Sequence, residues 1–317
     1  MKKSREDERG YSKTQKAFME AWDPRSPRVL KGDKSVHRAV IYMFIFGVLF
    51  VGAFSPSASG WASSEAIHSV LETLSTVMAF VVGSLALVRF YSKKRGTYLF
   101  IGTGFLGTAL LDTFHAVVSS GITSFWTEDE LLELSSWTFT ASASFLSVFL
   151  FVSWLAWRQE SKGPEGEEIK EIPVYLTAIF LTILIFVVFL SIFSLELFPI
   201  STAVYPDALI PQPAELFPAL FFLLALGGYL GKGHWRYDTF EHWLIIALVL
   251  LVMTHAAYMP FSRAFYDADF DAAHALKAVS YVSVFIGLMA SVYITFRREE
   301  EAADAAREAN SALAREI

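Results

Sequence analysis

Apolar residues gather along this chain in eight long stretches, each bounded by short clusters of charged or turn-forming residues. They fall at residues 38–58, 64–90, 96–118, 134–157, 172–195, 214–231, 239–260 and 271–296. At 1.5 Å of rise per residue each stretch, as a helix, is long enough to cross about 30 Å of hydrocarbon. The pattern predicts an all-α fold, a polytopic membrane bundle of eight transmembrane helices. Residues 1–37 precede it as a polar tail of mixed charge, with Pro24 and Pro27 and one short helix expected around Thr14 to Trp22. Residues 297–317 change character again: RREEEAADAAREANSALAREI is rich in strong helix formers. Ala302, Ala306, Ala309 and Leu313 repeat there at the spacing of a coiled-coil seam. Span eight is therefore expected to run on as a cytoplasmic signalling helix, about 30 Å long, that pairs with a second copy. It reaches Ile317 without a cap or breaker, and the expectation is of continuation into an output domain.

Composition narrows the class. Only 18% of residues are charged and 54% are hydrophobic, against about 25% charged in an ordinary soluble domain. With no cysteine, disulfides and thiolate ligands are excluded. The first apolar run begins near Arg38, after a long charged segment, so no cleavable signal peptide is read. The net charge of -6 says less than its distribution: 24 of the 26 Lys and Arg residues fall on one side of the eight-span topology. Only Arg263 and Lys277 fall elsewhere. The opposite loops are acidic, with Glu128, Asp129, Glu130 and Glu133, then Asp267, Asp269 and Asp271. By the positive-inside rule both termini are expected to be cytoplasmic.

The candidate chemistry lies in the polar residues inside the spans, which are costly at membrane depth and point to function. His68 and Glu72 are four apart in span two, and Asp112 and His115 three apart in span three, so each pair shares a helix face. His255 near the end of span seven and His274 at the start of span eight belong to the same outward layer, with Glu215 at similar depth. His37, His234 and His242 flank the inner face and are expected to be solvated. Imidazole with carboxylate suits zinc, copper or iron, with His68, Asp112, His115, His255 and His274 as candidate ligands. The acidic outer loops would concentrate cations, and Lys277 is a candidate partner for an anion or carboxylate. Two facing histidines could instead hold a haem. Gly102, Gly104, Gly107, Gly227 and Gly228 are read as sites of close helix packing. No phosphate loop, HExxH, GxSxG or nucleic-acid motif occurs.

His68, Glu72, Ser75 and Val77-Met78-Ala79-Phe80 in span two, then Tyr98 and Leu99, and Asp112, His115 and Gly121 at the close of span three, form a paired motif. In it, spans two and three resemble the MASE3 membrane-associated sensor domains. Trp137 matches a tryptophan of span four, and His274, Leu276, Lys277, Ser280 and Tyr281 match the opening of the last span. Ser119-Ser120-Gly121-Ile122 stands where the family has Tyr-Lys-Gly-Met, and Ala141 near the place of an arginine. The resemblance covers about residues 40–296. It implies a sensor module of a bacterial inner membrane, not itself an enzyme, placed before a histidine kinase or diguanylate cyclase and embedded among membrane lipids. The rival from the residues alone is an intramembrane metal-dependent hydrolase, with histidines and an aspartate around zinc. A transporter would show broken helices near mid-membrane and an internal repeat, and neither is clear.

Overall fold

The computed structural model describes residues 33–54, 61, 63–120, 127–162, 170–195 and 203–316. The short helix expected around Thr14 to Trp22 lies outside them. Among the described residues every regular element is helical, and eight helices are long and apolar enough to cross a membrane. They are α1 (Asp33–Ala53), α2 (Glu65–Lys93), α3 (Gly96–Ser119), α4 (Glu128–Glu160), α5 (Glu171–Leu195), α6 (Leu216–Lys232), α7 (Thr239–Met253) and α8 (Ala268–Glu316). The first begins five residues ahead of its expected span, because Asp33 to His37 join the helix. The last runs unbroken from the bundle to Glu316, 49 residues in all.

Burial sorts these helices into a centre and a rim. In α7 and α3, 83% and 67% of the most apolar window is enclosed; in α1 and α5 only 6% and 11% is. A helix as apolar as α5 that leaves its side chains uncovered is one whose solvent is lipid. Around the centre α2 packs on α3 and α8, α3 on α4, α4 on α6, and α7 on α8. The α2–α3 contact is backbone-close: a Cβ on Gly83 would lie 2.9 Å from the Leu106 nitrogen, and one on Gly102 3.0 Å from the Leu87 nitrogen. Glycine at both positions lets the two helices approach until their polar residues meet. Gly104, Gly107 and Gly228 likewise seat Phe149, Phe145 and Trp154, whereas Gly227, expected to do the same, faces open space.

Span seven is not one uniform helix. After Met253 the backbone widens into a π-helical turn, Thr254–Tyr258, then tightens into a 3-10 turn, Met259–Phe261. Pro260 is the local cause, since it has no N–H to donate and its ring crowds the carbonyl four residues earlier. The Met259 N–H reaches back to the Thr254 carbonyl instead. Gln212 then ties the start of α6 to this turn through the Pro260 carbonyl at 3.0 Å and the Ser262 carbonyl at 3.2 Å.

The end of the bundle that carries the basic turns is pinned by polar contacts. Arg38 donates to the Trp235 and Asp238 carbonyls, and Arg89 donates to Ser291 at 2.9 Å and Thr295 at 3.0 Å. Lys232 is buried against Glu241, over the ring of Trp157. Of the histidines expected to be solvated here, His37 is exposed. His242 is instead bonded to the Tyr42 hydroxyl at 2.6 Å, and His234 packs on Trp157.

Candidate functional site

At the other end, α2, α3, α4 and α8 bring their polar residues to one point. His68 and Glu72 descend from the start of α2, Asp112 and His115 lie in the last turns of α3, and His274 and Lys277 open α8. None of the six is more than 4% exposed. Buried charges this deep are tolerated only when paired and hydrogen-bonded. The Lys277 ammonium supplies the pairing, 3.0 and 3.2 Å from the two oxygens of Glu72 and 3.0 Å from Oδ1 of Asp112. Ser142 of α4 donates to the same Asp112 oxygen, and the Phe139 ring lies 5.0 Å from the ammonium. One lysine thus ties α8 to α2 and α3 together.

Beside this ion cluster, one nitrogen from each of His68, His115 and His274 lies within 4.8 Å of the other two. The tautomers of His115 and His274 follow from their partners. The Thr138 hydroxyl donates to the Ser135 carbonyl at 3.0 Å, so its oxygen receives a proton from Nδ1 of His115 at 2.9 Å. Nδ1 of His274 donates to the Phe270 carbonyl at 2.8 Å. Each neutral ring is left with its lone pair on Nε2, and neither Nε2 has a hydrogen-bond partner. They face Glu72, His274 at 3.5 Å from Oε1 and His115 at 4.0 Å from Oε2. Both nitrogens of His68 are also without a partner. Lone pairs aimed at a carboxylate are relieved only by an electropositive centre, a shared proton or a metal ion. The Nδ1 bonds are the kind that orient metal-ligating histidines from behind. With neutral imidazoles, Glu72, Asp112 and Lys277 leave the cluster one negative charge in excess.

His255, expected in the same pocket, stands apart. Its ring and that of His274 lie on the Phe139 ring, at 5.6 and 4.7 Å. Nδ1 of His255 bonds Glu215 at 2.5 Å, and Glu215 also receives the Thr140 hydroxyl. The physical reason is the π-turn, which carries His255, and the Gln212 contacts that set Glu215 against it. Asp112 also differs from its expected place among the imidazoles, because Ser142 and Lys277 hold its Oδ1. Lys277 does meet carboxylates.

An aromatic cover closes the acidic end. Phe270 and Tyr266 pack on His68 with ring centroids at 5.1 and 6.0 Å. Asp271 ties down Trp61 and Ser63, just ahead of α2, accepting from Trp61 Nε1 and Ser63 Oγ at 2.7 Å each. Asp267 accepts the Phe270 N–H at 2.8 Å and starts α8. Asp267 and Asp271, expected to attract cations, are thus built into the cover. The residues that sequence reasoning missed lie on α4: Thr138, Phe139 and Ser142. Their signal is the hydroxyl run Ser135-Ser136-Trp137-Thr138-Phe139-Thr140-Ala141-Ser142 in an otherwise apolar span, with Thr138 and Ser142 one turn apart.

Among families of known proteins, the MASE3 model, described as a membrane-associated sensor domain, matches residues 60–293. The match contains every residue of the cluster. No curated protein and no solved structure matches the chain.

Proposed function

The chain belongs to the MASE3 family of membrane-associated sensor domains, and we propose that it is the input module of a bacterial signalling protein whose receptor site is the cluster around Lys277. The observation that carries the reading is the convergence of three imidazoles, each with an unpartnered nitrogen, beside a carboxylate, at a point where three helices share one buried lysine. A transition-metal ion such as zinc, copper or iron fits that donor set of nitrogen and oxygen. A haem fits less well, because the His68 and His274 rings are only 4.5 Å apart and no porphyrin passes between them. The orientation follows loop charge, with the site toward the outer face and the free length of α8 in the cytoplasm. α8 then carries the state of the site inward, through a second copy paired along its C-terminal half, to a kinase or cyclase joined beyond it. Binding has this effect only if the two packings of α8 hold the ion unequally.

Elemental analysis with an absorption spectrum tests the reading on purified wild type, His68→Ala and His115→Ala. One equivalent of zinc, copper or iron, lost in both variants, is the expected result. Protein that takes up no metal and shows no chromophore would overturn the metal site.

A further inference from the structure

We propose that Lys277 is the resident cation of this site, and that a divalent transition-metal ion held by His68, His115 and His274 takes Glu72 from it. The inference rests on the receptor-site reading and adds how occupancy reaches α8. Glu72 is shared in space: the ammonium lies 3.0 Å from one oxygen and 3.2 Å from the other, and the two Nε2 atoms lie 3.5 and 4.0 Å from the same carboxylate. A divalent ion among the imidazoles outbids a single ammonium for that carboxylate, by charge and by shorter approach. Lys277 is not stranded by the exchange, because Asp112 remains 3.0 Å away and is itself fixed by Ser142.

The consequence is positional. In the lysine-bound arrangement α8 is linked to α2 through Lys277 and Glu72. In the ion-bound arrangement the link passes through His274, three residues nearer the start of α8, while the tie from Lys277 to α3 persists. The point of attachment moves by most of a helical turn. The far end stays pinned by Arg89 on Ser291 and Thr295. A helix held at one end and re-tethered at the other changes its inclination, and its C-terminal extension moves with it.

The full chain in lipid nanodiscs, titrated with Co²⁺, tests this. Asp112→Asn with Lys277→Met removes the competing ammonium yet keeps the charge of the cluster, and should bind Co²⁺ about tenfold tighter than wild type. Asp112→Asn alone leaves Glu72 as the only counter-ion of Lys277, and should bind about tenfold weaker, a change of the size seen for outer-shell partners. The chain has no cysteine, so spin labels at Val88→Cys on α2 and Phe296→Cys on α8 report the helices directly. Co²⁺ should shift their distance distribution in the otherwise wild-type protein and leave it unchanged in the double variant. Equal Co²⁺ affinity in the double and single variants would overturn the exchange while leaving the receptor site standing. Co²⁺ binding that survives His115→Ala and His274→Ala would overturn the receptor site itself.

Discussion

Lys277 makes three charged hydrogen bonds while buried, so its removal is felt through what it leaves behind. Lys277→Met strands two carboxylates, and unfolding in detergent should show a loss of about 3–5 kcal/mol, the cost of breaking a buried pair from one side. Adding Asp112→Asn should return a large part of that loss, and the double-mutant cycle measures how much. Ser142→Ala should cost about 1–3 kcal/mol, since the Asp112 oxygen it serves keeps only the ammonium. The helical spacings of His68 with Glu72 and Asp112 with His115 are legible in the sequence, because ionisable residues stand out in apolar runs. His255 misleads for the same reason. Depth along a helix can be counted, but the direction of its side chain depends on a π-turn that Pro260 imposes across a backbone no periodicity describes.

The helices differ in what their sequences disclose. Length and apolarity give α2, α3 and α5 to within three residues of the expected ends, because charged turns bound them closely. They say nothing of which helix is central. The close approach of α2 and α3 comes from small residues, and Gly102→Leu makes it testable: a side chain there meets Leu87 and its backbone, so α2 must move off α3. The variant should keep its helical content by circular dichroism and lose Co²⁺ binding, since His68 and His115 no longer face one another. At the basic end, Arg89→Ala removes both hydroxyl contacts to α8. Metal stoichiometry should stay as in wild type while the Val88→Cys to Phe296→Cys distance broadens. A binding defect instead would show that the two ends are not separate in function.

For the whole molecule the eight apolar spans are legible in the sequence, and charge summed over loops predicts their orientation independently of any single contact. A thiol reagent that does not cross membranes should label Arg263→Cys in intact cells and reach Lys94→Cys only after lysis. The described residues thus form a bundle with a basic end, an apolar rim and a dense polar knot beneath an aromatic cover, with the long helix α8 leaving it. X-ray absorption at the zinc edge of the Zn²⁺-loaded chain looks at that knot most directly. It should return three imidazole nitrogens and one carboxylate oxygen at about 2.0–2.2 Å, with the imidazole count unchanged in His255→Ala and reduced in His274→Ala. A shell of oxygens alone, or one that loses an imidazole with His255 and keeps all of them without His274, would contradict it.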